Sequence, residues 1–187
     1  MAITLRFLGG ASFYDVCDIF DVDKATFYYI KDEVIIAINK AFNFKFDITD
    51  ESQIKDLMAG FRRKSAPGLI DRCFGCLDGW APVLQRPSKK KVKNRHRLYL
   101  RKQYYTISVQ AICCPKGYFL WYDMRCTGNT HDSTTFMLSP LYKLLAASEL
   151  LRRLGAYLVG DAAYTAEWFL LTPYKGKSLL STFTSRR

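Results

Sequence analysis

The sequence contains no long apolar segment. A membrane-spanning helix needs a run of about 18 uncharged apolar residues, and none is present. The N-terminus, MAITLRFLGG, is too short and too weakly basic for a secretory signal peptide. The chain has 187 residues, of which 49% are hydrophobic and 24% charged, enough for one full domain and a small second one. These features predict an intracellular, soluble, globular protein.

The paired ligand spacing of a structural zinc site is also missing. Cys73 and Cys76 form a CxxC, but no second CxxC or HxxxH follows, whereas structural zinc takes four ligands. Cys113 and Cys114 end an apolar run, in which reduced cysteine acts as a small hydrophobic residue. Core packing is the favoured interpretation of the six cysteines. A zinc or redox domain built on Cys73 and Cys76 is a remote alternative.

Acidic residues are absent from the stretch Arg86 to Lys102, which carries nine Lys and Arg residues (RPSKKKVKNRHRLYLRK) and is called the basic stretch below. The formal net charge of +11 is unevenly divided, with −3 in residues 1–50 and +14 in the remainder. Such a stretch predicts contact with a polyanion. A solvated loop or a nuclear localisation signal is the alternative that the stretch alone leaves open.

Apolar spacing predicts a helical N-terminal region, residues 1–66. One helical pattern ends near Phe20, and a second follows Asp23, whose carboxylate suits an N-cap. Two helices joined by a tight turn predict a helix-turn-helix. The candidate DNA contacts at the start of its second helix are Lys24, Thr26, Tyr28 and Lys31. Because the region is net acidic, a helical packing or dimerisation module remains an equal alternative. A third helix is predicted from Asp50 to Phe61, capped by Thr49.

After Pro67 and Gly68 the pattern changes to strands, and residues 67–187 are predicted to form a second domain. The apolar run 73–77 predicts one strand. Alternation over 104–113, with Thr106, Ser108 and Gln110 on the polar face, predicts a half-exposed antiparallel meander with a turn and a hairpin partner. A helix is predicted from Ser139 and Pro140 to Leu154, then a buried strand over 156–159. A last helix is predicted over 166–171, capped by Thr165.

Two acidic residues each follow an apolar strand and neighbour a glycine: Asp78 in CLDGW and Asp161 in LVGDAAY. Side chains converge at the C-terminal ends of strands in α/β folds, and glycine permits close approach of a ligand or backbone. Carboxylate oxygens are the ligands that Mg²⁺ prefers, so such acids can hold a metal that cleaves phosphodiesters. An ordinary Asp-Gly turn after a strand is the alternative that the spacing alone favours.

Four segments resemble, in order and spacing, the signature blocks of the PIF/Harbinger transposase superfamily and its domesticated nucleases. The segments are FRRKSAPGLIDRCFGCLDGWAPVLQRP, LYLRKQYYTISVQAICCPKGYF, CTGNTHDSTTFMLSPLYKLL and YLVGDAAYTAEWFLLTPY. The N-terminal LRFLGGASFYDVCDIFDVDKATFYYI is similar to the helix-turn-helix that precedes that family's nuclease domain. The resemblance covers nearly the whole chain up to Tyr174.

The resemblance implies an α/β, RNase H-like mixed sheet with flanking helices, and a DNA nuclease or transposase that uses Mg²⁺ or Mn²⁺. Asp78 and Asp161 match the first two acids of the family's Asp, Asp and Glu triad. His131 and Asp132 match its HDS motif, in which Asp132 is expected to cap a helix rather than bind metal. The resemblance also implies that the basic stretch contacts DNA. The expected contact residues are Lys89, Lys90, Lys91, Lys93, Arg101 and Lys102. A Myb-like partner, oligomerisation and a nuclear location are also implied.

Three departures from the family modify this expectation. Trp80 stands where the family usually has Thr, and the chain begins partway through the family's first helix. The third acid is missing, because the family's Glu lies several tens of residues beyond LLTPY, and Glu167 is the only acid after Asp161. The resemblance therefore predicts a truncated or frameshifted copy, incomplete at the C-terminus and without useful cleavage activity. The alternative is a noncatalytic DNA- or protein-binding relic.

Overall fold

The computed structural model describes residues 1–41, 46–90, 92–100 and 103–173. By internal contacts the chain divides into two compact units, Met1–Lys45 and Phe46–Arg187. The domain boundary predicted between residues 66 and 67 stays a prediction. Lys91, Arg101 and Lys102, three of the predicted DNA contacts, lie outside the described residues.

The first unit consists of helices α1 (Ala2–Leu8), α2 (Phe13–Phe20) and α3 (Lys24–Ala41). The predicted Asp23 cap is confirmed, since its Oδ1 accepts from the backbone amides of Ala25 and Thr26 at 2.7 and 3.1 Å. The Thr26 hydroxyl donates to the other Asp23 oxygen at 2.6 Å, which lowers the pKa of Asp23. The buried Phe27 ring packs edge-on against Phe7. The sequence pattern thus gives the helices and their turn, whereas a DNA-binding role for them stays a prediction.

The second unit begins with helix α4 (Glu51–Lys64), which packs on the first strand of the sheet. Its N-cap is Asp50, whose side chain accepts from the Gln53 amide at 3.1 Å, so the predicted Thr49 cap is wrong. The Thr49 hydroxyl donates instead to Asp47 at 2.7 Å and is not available to the helix. Ile54 is the fully buried residue of the helix.

A six-stranded mixed sheet forms the body of the second unit. Its strands are β1 (Cys73–Trp80), β2 (Val83–Leu84), β3 (Tyr105–Cys113), β4 (Phe119–Thr127), β5 (Tyr157–Gly160) and β6 (Leu170–Leu171). The main order is β4, β3, β1, β5, β6, and β2 pairs with the start of β3. Strands β1, β3 and β4 are antiparallel neighbours, whereas β5 is parallel to β1 and β6 is parallel to β5. The predicted α/β fold class with a mixed sheet is confirmed, and the order is consistent with an RNase H-like fold.

Three helices connect β4 to β5: α5 (Asp132–Met137), α6 (Pro140–Ala147) and α7 (Glu149–Leu154). The single helix predicted from Ser139 to Leu154 is interrupted at Ser148, because its hydroxyl oxygen accepts from the Leu151 amide and caps a new helix. Gly155 ends α7 in the left-handed conformation, with φ of 60°. One core joins helices and sheet, and Phe74, Ile112, Phe136 and Leu158 are among its buried residues. No helix in the described ranges is long and apolar enough to cross a membrane.

Strand β3 is buried on both faces, contrary to the half-exposed meander predicted from its alternation. Thr106, Ser108 and Gln110, the face predicted to be polar and exposed, are all buried. The physical reason is that β3 lies inside the sheet, between β1 and β4, with α5 in contact with it. Polar residues on a buried face need hydrogen-bond partners. The partners of Gln110 lead directly to the candidate site.

The helix predicted over 166–171 is wrong. Glu167 and Leu170 exchange backbone hydrogen bonds of 3.0 and 3.1 Å in a tight turn, and β6 follows directly. The Leu158 amide donates to the Phe169 carbonyl oxygen at 2.7 Å, which joins this segment to β5. Phe169 and Leu170 are buried. Tertiary pairing with β5 therefore overrides the local helical pattern.

Candidate active site

Asp78 and Asp161 come together because β1 and β5 are adjacent parallel strands. Leu77 pairs with Gly160 in the parallel register, so the next residue of each chain segment is an aspartate. Asp78 lies within β1 and Asp161 directly follows β5, and both side chains are exposed. Neighbouring strands are about 4.8 Å apart. The two carboxylates therefore flank one point at the same edge of the sheet.

Each of these carboxylates is held by a nearby backbone amide. The Gly79 amide donates to Asp78 Oδ1 at 2.8 Å, and the Ala163 amide donates to Asp161 Oδ1 at 2.9 Å. Among the described residues, no hydrogen bond engages the second oxygen, Oδ2, of either carboxylate. One oxygen of each group is thus fixed by the chain, and the other is available to a ligand.

A buried chain of hydrogen bonds holds a third carboxylate, Asp132, near Asp78 and Asp161. Gln110 is 0% exposed, and its amide nitrogen donates to Asp132 Oδ1 at 2.8 Å. The hydroxyl of Tyr164, which is 2% exposed, donates to the Gln110 carboxamide oxygen. The chain joins β3, the loop after β5 and the first residue of α5. We call Asp78, Asp132 and Asp161 the acidic site.

The predicted capping role of Asp132 is wrong. His131 occupies the N-cap position of α5, without a side-chain cap, and Asp132 is the first helical residue. The backbone carbonyl oxygen of His131 accepts from the Thr135 amide at 2.9 Å, and the His131 side chain is exposed. The Asp132 carboxylate accepts from Gln110 instead of from the backbone amides of the helix.

Tyr164 lies close enough to all three carboxylates to feel their charge. Burial raises the pKa of Tyr164, and the negative charges of Asp132, Asp78 and Asp161 raise it further. The phenol therefore stays protonated and acts as the hydrogen-bond donor that Gln110 requires. Gln110 and Tyr164 were missed from the sequence, where Gln110 was assigned to an exposed face. A polar residue in the middle of an apolar strand was the available signal.

The glycine beside Asp78 is required by close packing. A Cβ at Gly79 would lie 2.5 Å from Asp132 Oδ1 and 2.5 Å from Gln110 Nε2. Gly79 pairs with Gln110 across β1 and β3, so the missing side chain makes room for the hydrogen bond between Gln110 and Asp132. The Asp-Gly sequence therefore serves the site in two ways. It places Asp78 at the strand end, and its glycine leaves room for the neighbouring hydrogen bond.

Glu167, the only acid after Asp161, is not brought to the acidic site. Its Oε1 accepts from the Tyr142 hydroxyl at 2.8 Å, which raises the pKa of Tyr142. Glu167 precedes β6, and β6 runs parallel to β5, so Glu167 lies toward the N-terminal end of β5. Asp161 follows the opposite end of that strand.

Three lysines of the basic stretch, which follows β2 in sequence, face solvent. Lys89, Lys90 and Lys93 are exposed, and a 3-10 helix, Arg95–Leu98, follows them. None of the ion pairs within the described ranges involves these lysines. Their charges are therefore free to meet an external anion.

The CxxC cysteines lie on β1 beside the acidic site. Cys73 is buried and Cys76 is exposed. The Cys73 thiol donates to the Gly75 carbonyl oxygen at 3.3 Å, and its interaction with Cys76 lowers the pKa of Cys76 and raises that of Cys73. Cys113 pairs with Cys76 across β1 and β3.

Comparison with known families decides the class of this site. Residues 77–186 match the family described as DDE superfamily endonuclease. The match covers more than half of the chain and includes both Asp78 and Asp161. The chain belongs to the DDE superfamily endonucleases. No curated protein and no solved structure matches it.

DDE superfamily endonucleases act on DNA and generally use divalent metal ions, and the donors in the acidic site fit such an ion in part. Asp78 and Asp161 offer hard carboxylate oxygens, which suit Mg²⁺ or Mn²⁺ with water completing the coordination. Within the described ranges, however, no three His, Cys, Asp or Glu side chains are close enough to hold one ion together. The geometry therefore supports two carboxylate ligands, with Asp132 nearby and tied to Gln110.

Proposed function

We propose that this DDE endonuclease is of the Harbinger type and that Asp78 and Asp161 hold the Mg²⁺ or Mn²⁺ used to hydrolyse DNA phosphodiester bonds. This chain carries only two of the family's three acids, so it should cleave too slowly to be useful. The observation that carries the proposal is the parallel register of β1 and β5, which sets these two aspartates side by side. The signature blocks around both residues support the Harbinger assignment. In an intact transposase of this kind, the freed 3′ hydroxyl then attacks target DNA.

The side chains of the site divide the work between binding and positioning. Asp78 and Asp161 would hold the cation through the oxygens that the backbone amides leave available. A divalent ion bound there would supply Lewis-acid stabilisation and an activated water for attack on phosphorus. Gln110 and Tyr164 position Asp132, which adds a third negative charge beside the metal ligands.

The basic stretch supplies the proposed DNA contacts. Its predicted contacts are Lys89, Lys90, Lys91, Lys93, Arg101 and Lys102. Lys and Arg side chains contribute sequence-independent affinity by displacing counterions from phosphates. The same stretch suits a nuclear localisation signal, which agrees with a nuclear site of action. Selection of the DNA target site would then depend on the helix-turn-helix of the first unit, on oligomerisation and on a Myb-like partner.

A noncatalytic DNA-binding relic is the second candidate function. It is favoured by the absence, among the described residues, of three metal-binding side chains in one cluster. Two aspartates hold Mg²⁺ weakly, because this ion gives up its water reluctantly. Such a protein would keep the basic stretch and bind DNA without turnover.

Nicking of supercoiled plasmid with Mg²⁺ or Mn²⁺ tests the proposal, together with Mn²⁺ binding followed by paramagnetic relaxation of water. The unaltered chain should bind Mn²⁺ weakly and nick the plasmid only slowly, because two carboxylates hold the metal where the family uses three acids. Asp78→Asn and Asp161→Asn should each abolish both properties. Asp56→Asn, an exposed change on α4, is the matched control and should change neither.

The outcomes separate the two candidates. Mn²⁺ binding without nicking would favour the noncatalytic relic. Mn²⁺ binding that persists in both Asp78→Asn and Asp161→Asn would show that the metal site is misassigned. Nicking that persists in both variants would come from a contaminating nuclease or another site and would overturn the catalytic assignment.

A further inference from the structure

A cavity of about 700 Å³ adjoins the acidic site. It is lined by Asp132 of the acidic site and by Gly79 and Ala163, whose amides donate to Asp78 and Asp161. Its size falls in the range of about 300–1,000 Å³ that is usual for small-molecule pockets. A ligand in this cavity would therefore lie directly beside the place where a scissile phosphate must be held.

Aromatic residues also line the cavity, namely Trp80, Tyr99 and Tyr104. Trp80 and Tyr99 are each 45% exposed, although large aromatic side chains usually bury more of their surface. The Tyr99 ring is supported edge-on by Tyr105, with centroids 5.1 Å apart, and Trp80 is stacked with Phe119 at 5.9 Å. These rings are held in place by neighbours while part of their surface stays available.

The side formed by residues 128–131 is polar and is pressed against β3. A Cβ at Gly128 would lie 2.2 Å from Thr106 Cγ2 and 2.8 Å from the Thr106 carbonyl oxygen. Asn129 is fixed by the Thr127 hydroxyl, which donates to its carboxamide oxygen at 2.8 Å. Asn129, Thr130 and His131 thus add hydrogen-bonding groups to the same cavity as the aromatic residues.

Asp132 is the one acid among the described residues that line the cavity, and the cations that could meet a phosphate backbone lie beside the cavity in the basic stretch. No acidic residue occurs from Ala81 to Leu100, and Arg97 is exposed two residues before Tyr99. Single-stranded nucleic acid is bound by a combination of groups. Aromatic faces stack on a base, amide and hydroxyl groups bind its edge, and cations contact its phosphates.

We propose that this cavity binds an unpaired nucleotide of the DNA substrate, next to the phosphodiester held at the acidic site. The inference rests on the proposed function, because it takes the acidic site as the place of cleavage. It adds a substrate class, namely DNA with an unpaired or extruded nucleotide beside the scissile bond. Tyr99 and Trp80 provide the stacking surface.

Equilibrium binding of two labelled duplexes in EDTA tests this proposal without metal or turnover. One duplex is fully paired, and the other carries a single unpaired 2-aminopurine. The unaltered protein should bind the second duplex about tenfold more tightly, a factor within the range that one stacked base contributes. Emission of 2-aminopurine should fall on binding, because stacking on an aromatic ring quenches it.

Tyr99→Leu and Trp80→Leu should each reduce the preference and the quenching while binding to the paired duplex is retained. Tyr118→Leu is the matched control, since this exposed tyrosine lies beyond the far end of β3 from Tyr99. Circular dichroism confirms the fold of each variant. The two leucine variants are independent, so the failure of one to fold leaves the other as a test.

Three results would overturn the proposal. The first is equal affinity of the unaltered protein for both duplexes, and the second is a preference that survives in Tyr99→Leu and Trp80→Leu. The third is an equal preference for the corresponding RNA, which would remove the assignment to DNA. Because no metal is present, a protein that shows the preference but never nicks plasmid would contradict the proposed function alone.

Discussion

The hydrogen bond between Tyr164 and Gln110 offers the sharpest test of how the site is built. Both side chains are buried, and they hold Asp132 through a second hydrogen bond. Tyr164→Phe removes only the hydroxyl, and Gln110→Leu replaces the carboxamide by an apolar group of similar size. The double variant removes both partners, so the three variants and the unaltered chain form a double-mutant cycle.

The expected magnitudes follow from what each change leaves unpaired. Tyr164→Phe leaves the buried Gln110 oxygen without its donor, which costs about 1–3 kcal/mol in the free energy of unfolding. Gln110→Leu leaves the Tyr164 hydroxyl buried without an acceptor, at a similar cost of about 1–3 kcal/mol. In the double variant neither orphaned group remains. Its loss should be smaller than the sum of the single losses by about 1–3 kcal/mol.

Urea unfolding followed by tryptophan fluorescence measures these losses in the correct part of the chain. The three tryptophans, Trp80, Trp121 and Trp168, all lie in the second unit. Tyr142→Phe is the matched control, because the Tyr142 hydroxyl donates to half-buried Glu167 and should contribute only about 0.5–1.5 kcal/mol. Combined with Gln110→Leu, this control should be additive, since the two residues share no hydrogen-bond partner.

An additive cycle for Tyr164→Phe and Gln110→Leu would refute the reasoning. It would show that the two side chains do not depend on each other in solution. The buried hydrogen-bond chain could then not be what positions Asp132. Losses below those of Tyr142→Phe for both single variants would lead to the same conclusion.

The remaining predictions concern charge, the third carboxylate and the glycine of the site. Changing Lys89, Lys90, Lys91 and Lys93 to Gln should flatten the salt dependence of duplex binding by about 0.9 in log–log slope for each cation that meets a phosphate. An unchanged slope would place the DNA-binding surface elsewhere. Asp132→Asn should weaken Mn²⁺ affinity by about 10- to 100-fold, as loss of a residue beside metal ligands commonly does, whereas Glu167→Gln should leave it unaltered. The reverse order would make Glu167 the third acid. Gly79→Ala should lower the free energy of unfolding by about 1–3 kcal/mol, and wild-type stability would contradict the tight contact with Asp132 and Gln110.

The sequence predicted the parts of this fold that depend on local pattern. The strand that carries Asp78, the strand that precedes Asp161 and the Asp23 cap all follow from apolar runs and short-range capping chemistry. Both aspartates were singled out because each follows an apolar run and adjoins a glycine. Their pairing, however, depends on β1 and β5 becoming neighbours, which only the resemblance to a family implied.

The errors arose where tertiary contacts override local pattern. The face of β3 that carries Gln110 is polar in sequence, but neighbouring strands and α5 bury it. The segment around Glu167 has helical character, but pairing with β5 makes it a turn and a strand. Asp132 was expected to cap α5, but it is the first helical residue, and its carboxylate accepts from Gln110 on a distant strand. None of these competing partners is visible within a short window of sequence.

The negative charge of the acidic site would oppose the approach of DNA unless a metal ion were bound there. Three aspartates at one edge of the sheet repel a phosphodiester, and a hydrogen bond from Gln110 to Asp132 does not neutralise that charge. The basic stretch can bring DNA to the surface, but its cations lie on the loop between β2 and β3 rather than among the carboxylates. A divalent cation between Asp78 and Asp161 would neutralise their two charges and offer a positive centre to the scissile phosphate, with the charge of Asp132 left beside it. The lysines would therefore determine affinity for DNA in general, and the metal would determine which phosphate enters the acidic site.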